Sequence, residues 1–457
     1  MSVVTRFAPS PTGFLHIGSL RTAIFSWLYA KHNQGIFLLR IEDTDRERST
    51  VTATDAIIKG MQWMNLYHDG TIHTQSEFAA HHASMAQSLL MKDKAYKCYC
   101  TQEELEEMRA KAFAEKRTPK YDGRCRTRGN ENLPFVVRFK APQEGSITID
   151  DGVQGKVTVQ NDQLDDMVLL RSDHTPTYLL SVVVDDHDMG ITHVIRGDDH
   201  LTNTFRQIQL YKAFEWEIPH FSHIPLIHGP DGAKLSKRHG ALGVEAYKEM
   251  GILPEALFNY LLRLGWAKGD NEIISRQQAI EWFDLKGVGR SPSRFDMAKL
   301  THLNGVYIRQ ADNQRLVYDL IDIFRTRDIL ITHAQSQILL HGMEGLKQRA
   351  KTLVELADHS MFYFAQMPIV KDKSLFAEGD IKVLQDYNNS VEKINDWTEK
   401  SLEDHARRFA EKHDLKLGKL AHPIRIALTG STISPSVFDI MAVLGKEEIL
   451  KRLQGAV

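Results

Sequence analysis

The chain has 457 residues, 42% of them hydrophobic and 25% charged, with a formal net charge of −2. That length accommodates roughly two to four domains, and the balanced charge excludes a globally polyanion-binding surface, so any nucleic-acid contact must come from local asymmetry. No apolar stretch is long enough to span a bilayer, no secretory signal is expected, and three cysteines are too few for a disulfide framework and fit a reducing cytoplasm.

In chain order, Val3 to Ala8 reads as a strand, and from Gly18 a helix carries Leu20, Ile24, Trp27 and Leu28 on one face. Ile36 to Ile41 is apolar nearly throughout, as expected of a strand buried on both faces, and it ends in the acidic loop Glu42-Asp43-Thr44-Asp45. Strand, helix and second buried strand open a doubly wound parallel sheet. From about Lys92 to Val184, alternating segments such as Phe135 to Phe139 and Ile147-Thr148-Ile149 predict an inserted α+β domain. The sheet is expected to resume at Val182-Val183-Val184 and at His193-Val194-Ile195.

Beyond about Gly240 strand signals fade. Leu316, Leu320 and Phe324, with Val317 and Ile321, keep helical spacing, and Thr398 is placed to cap a helix carrying Leu402, Ala406 and Phe409. Gly430 and Gly445 read as helix stops, with Pro435 near the next start. The expected division is residues 1–91 with 185–240, an insertion at 92–184, then 241–310 and an all-helical 311–457.

Pro9-Ser10-Pro11-Thr12-Gly13-Phe14-Leu15-His16-Ile17-Gly18-Ser19 joins the first strand to its helix. Two prolines and a glycine make a stiff turn, and Gly18 lets a flat ring or a phosphate approach the backbone. His16 is placed to donate to a phosphate oxygen beside the partial positive charge of the helix start. The same residues also suit a tight turn around a buried histidine. Lys234-Leu235-Ser236-Lys237-Arg238 offers ammonium groups to an anion, or is a solvated loop. Found together at opposite ends of one α/β domain, the two segments suit a phosphate that gains charge during reaction. Arg6 and Arg196 fall at expected strand ends, where such sheets bind ligands. Their planar forks suit a carboxylate, or a structural ion pair.

These segments resemble the class I aminoacyl-tRNA synthetases, and more closely the bacterial glutamyl-tRNA synthetases. His16-Ile17-Gly18-Ser19 is similar to the HIGH motif and Lys234 to Arg238 to KMSKS. The likeness extends through Arg6 to Gly13, Arg40 to Asp45, Tyr121 to Arg124, Pro176-Thr177-Tyr178, Val184-Asp185-Asp186, Ile195-Arg196-Gly197 and Pro423 to Gly430, covering essentially the full length. It implies a Rossmann-like catalytic domain with an inserted acceptor-end-binding domain, a stem-contact domain at 241–310 and an all-α anticodon-binding domain. The implied reaction joins glutamate to ATP as glutamyl-adenylate, with Mg²⁺, and passes the glutamyl group to the terminal adenosine of tRNA-Glu in a cytoplasmic monomer.

By the same resemblance, His16, Gly18, Lys234 and Lys237 are catalytic. Pro9, Ser10, Thr12, Ser19, Asp199, Leu235 and Ser236 join His16, Gly18 and Lys237 around ATP. Arg6, Ala8, Ser10, Glu42, Tyr178 and Arg196 hold glutamate. Ser19 departs from the motif's final histidine, and Val182 stands where the family's pocket includes an asparagine. A neutral amide would leave two guanidinium groups poorly paired, which favours glutamate over glutamine.

Cys98, Cys100 and Cys125 resemble a zinc site of some bacterial members, but Thr127 stands where the fourth ligand is usual. Tyr121 or a distant histidine would have to complete it; otherwise these are reduced, partly buried thiols. Between Arg109 and Arg128 lie Lys111, Lys116, Arg117, Lys120, Arg124 and Arg126, opposed within that stretch by Glu115 and Asp122. In an acceptor-binding domain Arg117, Lys120 and Arg124 become phosphate contacts. Arg349 matches an arginine near the anticodon's third base, which leans toward tRNA-Glu; an enzyme charging tRNA-Gln as well, or in preference, is the alternative. A smaller nucleotidyltransferase, a glutaminyl enzyme with β-barrels and an RNA-binding protein with a dead nucleotide site fit the helical last third or the intact motifs less well.

Overall fold

The computed structural model describes residues 2–45, 47–129, 133–235, 242–370 and 372–457. The chain divides into two compact units, Met1–Ala246 with Phe258–Asp296, and Tyr247–Leu257 with Met297–Val457.

In the first unit, β1 (Val4–Phe7) pairs in parallel with β2 (Ile36–Ile41), and β2 with β3 (His73–Thr74). Between β1 and β2 runs α1 (Ile17–His32), whose Leu20, Ile24 and Leu28 are fully buried. On the other edge of β1 lies β9 (His193–Gly197), where Thr192 N–H donates to the Val4 carbonyl at 3.0 Å; β10 (His220–Ile224) pairs with β9 in parallel. The spatial order β3-β2-β1-β9-β10 reverses direction at β1. A crevice therefore opens at the carboxyl ends of β1 and β9, where doubly wound sheets hold their ligands.

The intervening chain supplies α2 (Val51–Trp63), α3 (Ala79–Met91), β4 (Ala95–Cys98) and α4 (Gln102–Ala114), then β5 (Val136–Phe139), β6 (Ser146–Asp151), β7 (Gly155–Gln160) and β8 (Val168–Leu170). Strands β4, β5 and β8 form an antiparallel sheet, and β6–β7 is a hairpin paired from Ser146↔Gln160 to Asp151↔Gly155. These are the alternating segments expected there.

One expected strand is absent. Val182-Val183-Val184 lies in the middle of α5 (Tyr178–Asp188), in which Leu180 through Asp186 are all buried. A short run of apolar residues buried on every side does not distinguish strand from helix. Here the run is enclosed among α3, α6 (Leu201–Phe214) and the sheet, and the modest helical penalty of valine is overridden by packing. Short strands β11 (Ile227–His228) and β12 (Ser293–Arg294) pair further on.

The second unit is helical among its described residues. Thr398 caps Glu399–Lys412 by accepting from Ser401 N–H, and Leu402, Ala406 and Phe409 face inward, as the spacing predicts. Gly430 ends Leu417–Thr429 at φ 68°, the left-handed conformation glycine adopts without strain.

At the amino ends of β9 and β10 the His193 and His220 rings stack with centroids 4.9 Å apart. Burial, then the neighbouring His220 charge, lowers the His193 pKa from 6.5 to about 4. Between these values the unfolded chain binds the extra proton, so stability falls as pH drops through that window, by up to about 1.4 kcal/mol per pH unit. Thermal midpoints measured from pH 7 to 4 should show this fall, and His193→Gln should flatten it; an unchanged slope would contradict the assignment.

Candidate functional site

The crevice is a cavity of about 420 Å³. It is bordered by the loop after β1, the start of α1, the end of β9, the chain just past β2 and β10, and the turn carrying Lys234. Fourteen residues singled out from sequence line it: Arg6, Ala8, Pro9, Ser10, Thr12, His16, Gly18, Ser19, Glu42, Tyr178, Arg196, Asp199, Lys234 and Leu235. Ser236, Lys237 and Arg238 lie outside the described residues.

His16 is the N-cap of α1, its Nδ1 accepting from Gly18 N–H at 3.0 Å. An accepting Nδ1 has no proton, so a neutral ring carries its hydrogen on Nε2 and has one donor left for an incoming group. Burial, then the Lys234 charge, lowers the His16 pKa and keeps the ring neutral. A Cβ on Gly18 would sit 3.2 Å from that Nδ1, so the glycine also makes room for the ring.

Across the cavity the acidic and basic groups are interlocked. Arg6 Nε donates to Asp186 Oδ1 at 3.0 Å, and Arg40 Nη1 to the same oxygen at 2.7 Å. Arg40 also donates to Glu42 Oε1 at 3.0 Å through Nη2. Burial opposes the Arg40 charge, yet Asp186, Glu42 and Asp185 outweigh it and raise its pKa; burial raises that of Glu42, against the pull of Arg40 and Arg6. Asp186 stays below the usual carboxylate range because Arg40 and Arg6 overcome its own burial. Behind it Asp185 accepts from His82 and Gln75, both at 2.6 Å.

Arg196 is arranged differently. Its Nη2 donates to Thr204 Oγ1 at 2.6 Å and to Gln207 Oε1 at 2.7 Å, and Nε to His223 Nε2 at 3.2 Å. Nη1 is buried with no partner among the described residues. Burial lowers the Arg196 pKa. A buried guanidinium with one nitrogen unpartnered among the described residues can donate to a further anionic acceptor. Tyr178, whose hydroxyl meets His200 Nδ1 at 3.0 Å, adds a polar wall; burial pushes its pKa up to about 12. On the opposite rim Lys234 Nζ donates to Asp199 at 3.0 Å.

A family model described as tRNA synthetases class I (E and Q), catalytic domain, matches residues 2–302, and an anticodon binding domain matches 314–457. The chain belongs to the class I tRNA synthetases of the E and Q group. A glutamate–tRNA ligase 2 from Paramagnetospirillum magneticum is 58% identical, spanning 100% of this chain and 98% of its own. Another, from Rhodospirillum rubrum, is 57% identical, spanning 100% and 99%. Among solved structures, a glutamate tRNA ligase from Elizabethkingia meningosepticum, crystallised with its amino acid, is similar at a TM-score of 0.88 and 31% identity, covering 100% and 99% of the two chains.

Away from the pocket of this tRNA synthetase, the Cys98, Cys100 and Cys125 sulfurs lie within 4.8 Å of one another. Tyr121, not Thr127, meets them: its hydroxyl is 3.4 Å from Cys98 Sγ and 3.8 Å from Cys100 Sγ, while Thr127 is exposed just past the turn. Cys100 Sγ and Cys125 Sγ are 3.5 Å apart, near the roughly 3.8 Å that two thiolates on one tetrahedral zinc would keep.

The basic cluster nearby is less free than its sequence suggests. Arg117 pairs with Glu115, Lys120 donates to the Asp162 carbonyl, and Arg124 pairs with Asp122 at 2.9 Å. Glu104 of α4 adds an acid from outside the stretch, 2.9 Å from Arg128. Arg349, in the second unit, lies beyond helix His333–Lys347; after burial, its charge lowers the pKa of Arg425.

Several residues in or behind the pocket carried no role assigned from the sequence. Arg21 lines the cavity from α1, donating to the Leu264 carbonyl at 2.7 Å and to that of Pro225. His200 backs Tyr178, and Asp186 locks two arginines. The available signal was an acidic pair, Asp185-Asp186, ending an apolar run, since carboxylates there must find buried cations.

Proposed function

We propose that the chain is a glutamate–tRNA ligase, an ATP-dependent enzyme that activates L-glutamate as glutamyl-adenylate and transfers it to the 3′-terminal adenosine of tRNA-Glu. The observation that carries this reading is buried Arg196, whose Nη1 has no partner among the described residues, lining the same cavity as Arg6, Glu42 and His16. Arg196, Arg6 and Tyr178 would hold the side-chain carboxylate, and Glu42 the α-amino group, with Ala8 and Ser10 at the border. The phosphates of magnesium-bound ATP would lie at the α1 N-terminus by His16, Gly18 and Ser19, with Pro9, Thr12, Asp199 and Leu235 around the nucleotide. Lys234 and Lys237 would supply the cations, with Ser236 between them bordering the nucleotide. Activation then rests on position and electrostatics, since charge develops on the phosphate.

The domain roles belong to the same proposal. Residues 1–91 and 185–240 catalyse, 92–184 receive the acceptor end through Arg117, Lys120 and Arg124, 241–310 touch the stem, and 311–457 read the anticodon with Arg349. The enzyme acts as a cytoplasmic monomer. Charging purified tRNA-Glu and tRNA-Gln separately with labelled glutamate tests the whole reading. Charging of tRNA-Glu is expected; transfer to tRNA-Gln alone or at equal rate would favour the alternative, and no charging would refute it.

Zinc at Cys98, Cys100, Cys125 and the Tyr121 oxygen is part of the proposal, as a structural clip of the inserted domain. Metal analysis of protein purified without chelator should give about one zinc per chain, reduced in Cys100→Ser. A metal-free wild-type protein would overturn it.

A further inference from the structure

The Arg196 fork is itself held by a buried relay that reaches the inserted segment. Asp151, the last residue of β6, is 3% exposed, and His223 of β10 is fully buried. The two carboxylate oxygens of Asp151 do different things. Oδ1 accepts from the backbone N–H of Val153 at 3.0 Å, of Gln154 at 2.8 Å and of His223 at 3.0 Å. Oδ2 faces His223 Nδ1 alone, at 2.5 Å. An ionised carboxylate only accepts, so Nδ1 carries the hydrogen and Nε2 presents a lone pair. That lone pair is what Arg196 Nε–H needs at 3.2 Å, and the Thr204 hydroxyl reaches it too, at 2.9 Å, while accepting from Arg196 Nη2. Burial lowers the His223 pKa, in keeping with a neutral ring beside a guanidinium.

We propose that Asp151 and His223 are positioning residues for glutamate recognition: Asp151 fixes the His223 tautomer, and His223 fixes the Arg196 fork with Nη1 free for the substrate carboxylate. This rests on the reading of Arg196 as the glutamate receptor. The hairpin end is pressed onto β10, with Gly152 N–H donating to the Phe221 carbonyl at 2.9 Å and a Cβ on Gly152 colliding with Ser222 Oγ. The relay thus ties the amino-acid pocket to the β6–β7 hairpin.

Asp151→Asn is the discriminating variant. The amide oxygen can keep the three backbone bonds, while the NH₂ now faces Nδ1 and drives the imidazole hydrogen onto Nε2, against Arg196. The KM for glutamate should rise on the order of ten- to a hundredfold, the size of one lost bond to a charged group, with the KM for ATP unchanged within about twofold. In an Arg196→Gln background the same substitution should add little, because coupled positions are not additive. Equal rises in both KM values, or full additivity, would overturn the relay. If Asp151→Asn does not fold, imidazole ¹⁵N NMR of the wild type decides: His223, assigned by difference from His223→Gln, should be protonated at Nδ1, and protonation at Nε2 would overturn the proposal. Should Arg196→Gln leave glutamate use intact, the pocket assignment falls. Should it cripple glutamate use while Asp151→Asn does not, the relay alone falls.

Discussion

Arg196→Gln is expected to lower kcat/KM for glutamate by about 10²–10³, the range for removing one partner of a buried charge pair, while leaving the KM for ATP within about twofold. The asymmetry follows from what each part of the cavity offers. Nothing among the described residues occupies Nη1 of Arg196, so the free enzyme holds a desolvated cation whose remaining partners are the neutral groups of Thr204, Gln207 and His223. Arg6, by contrast, is already matched to Asp186. Of the two guanidinium groups Arg196 therefore has more to gain from a substrate carboxylate. Glutamine in its place brings no charge and too few donors for the groups left behind. Steady-state aminoacylation with glutamate and ATP varied in turn measures both constants, and a thermal melt checks the fold. Equal losses for the two substrates would remove Arg196 from glutamate recognition.

The same comparison shows where the sequence was sufficient. The glycine- and proline-marked turn, the apolar strand ending in Glu42 and the arginine after Val194-Ile195 were readable because each sits at a strand end, and strand ends in such sheets converge on one crevice. Helix signals in the last third were local, as Thr398 and Gly430 illustrate. What could not be read was long-range. Asp186 pairs with Arg6 across 180 positions and Asp151 with His223 across 72, and no local pattern announces such partners. Val182-Val183-Val184 failed for a related reason, since its conformation is decided by the layers that enclose it. Of the two candidates the sequence left for the fourth member of the cysteine cluster, Tyr121 or a distant histidine, chain folding brings the Tyr121 hydroxyl, four residues before Cys125, to the sulfurs.

Substituting His16 should separate two jobs carried by one ring. Nδ1 caps α1, and losing such a cap costs about 0.5–2 kcal/mol of stability. Nε2–H is the donor proposed for a phosphate oxygen, and removing one donor of that kind lowers turnover by about 10²–10³. Alanine removes both functions, so His16→Ala should be less stable and nearly inactive in ATP–pyrophosphate exchange with tRNA present. Asparagine is more informative. Its amide oxygen reaches the position of Nδ1 and preserves the cap, but its side chain is too short to place a donor where Nε2 stands. His16→Asn should therefore melt close to wild type and lose exchange nearly as severely as alanine. Glutamine reverses the pattern, extending a donor toward the Nε2 position while giving up the cap, so partial exchange with lowered stability is expected. Gly18→Ala offers an independent check, because its methyl would press on the same ring from 3.2 Å and displace both nitrogens together. If asparagine and glutamine behaved alike in both measurements, the division of labour between the two nitrogens would be wrong, and His16 would be a capping residue without a phosphate to serve.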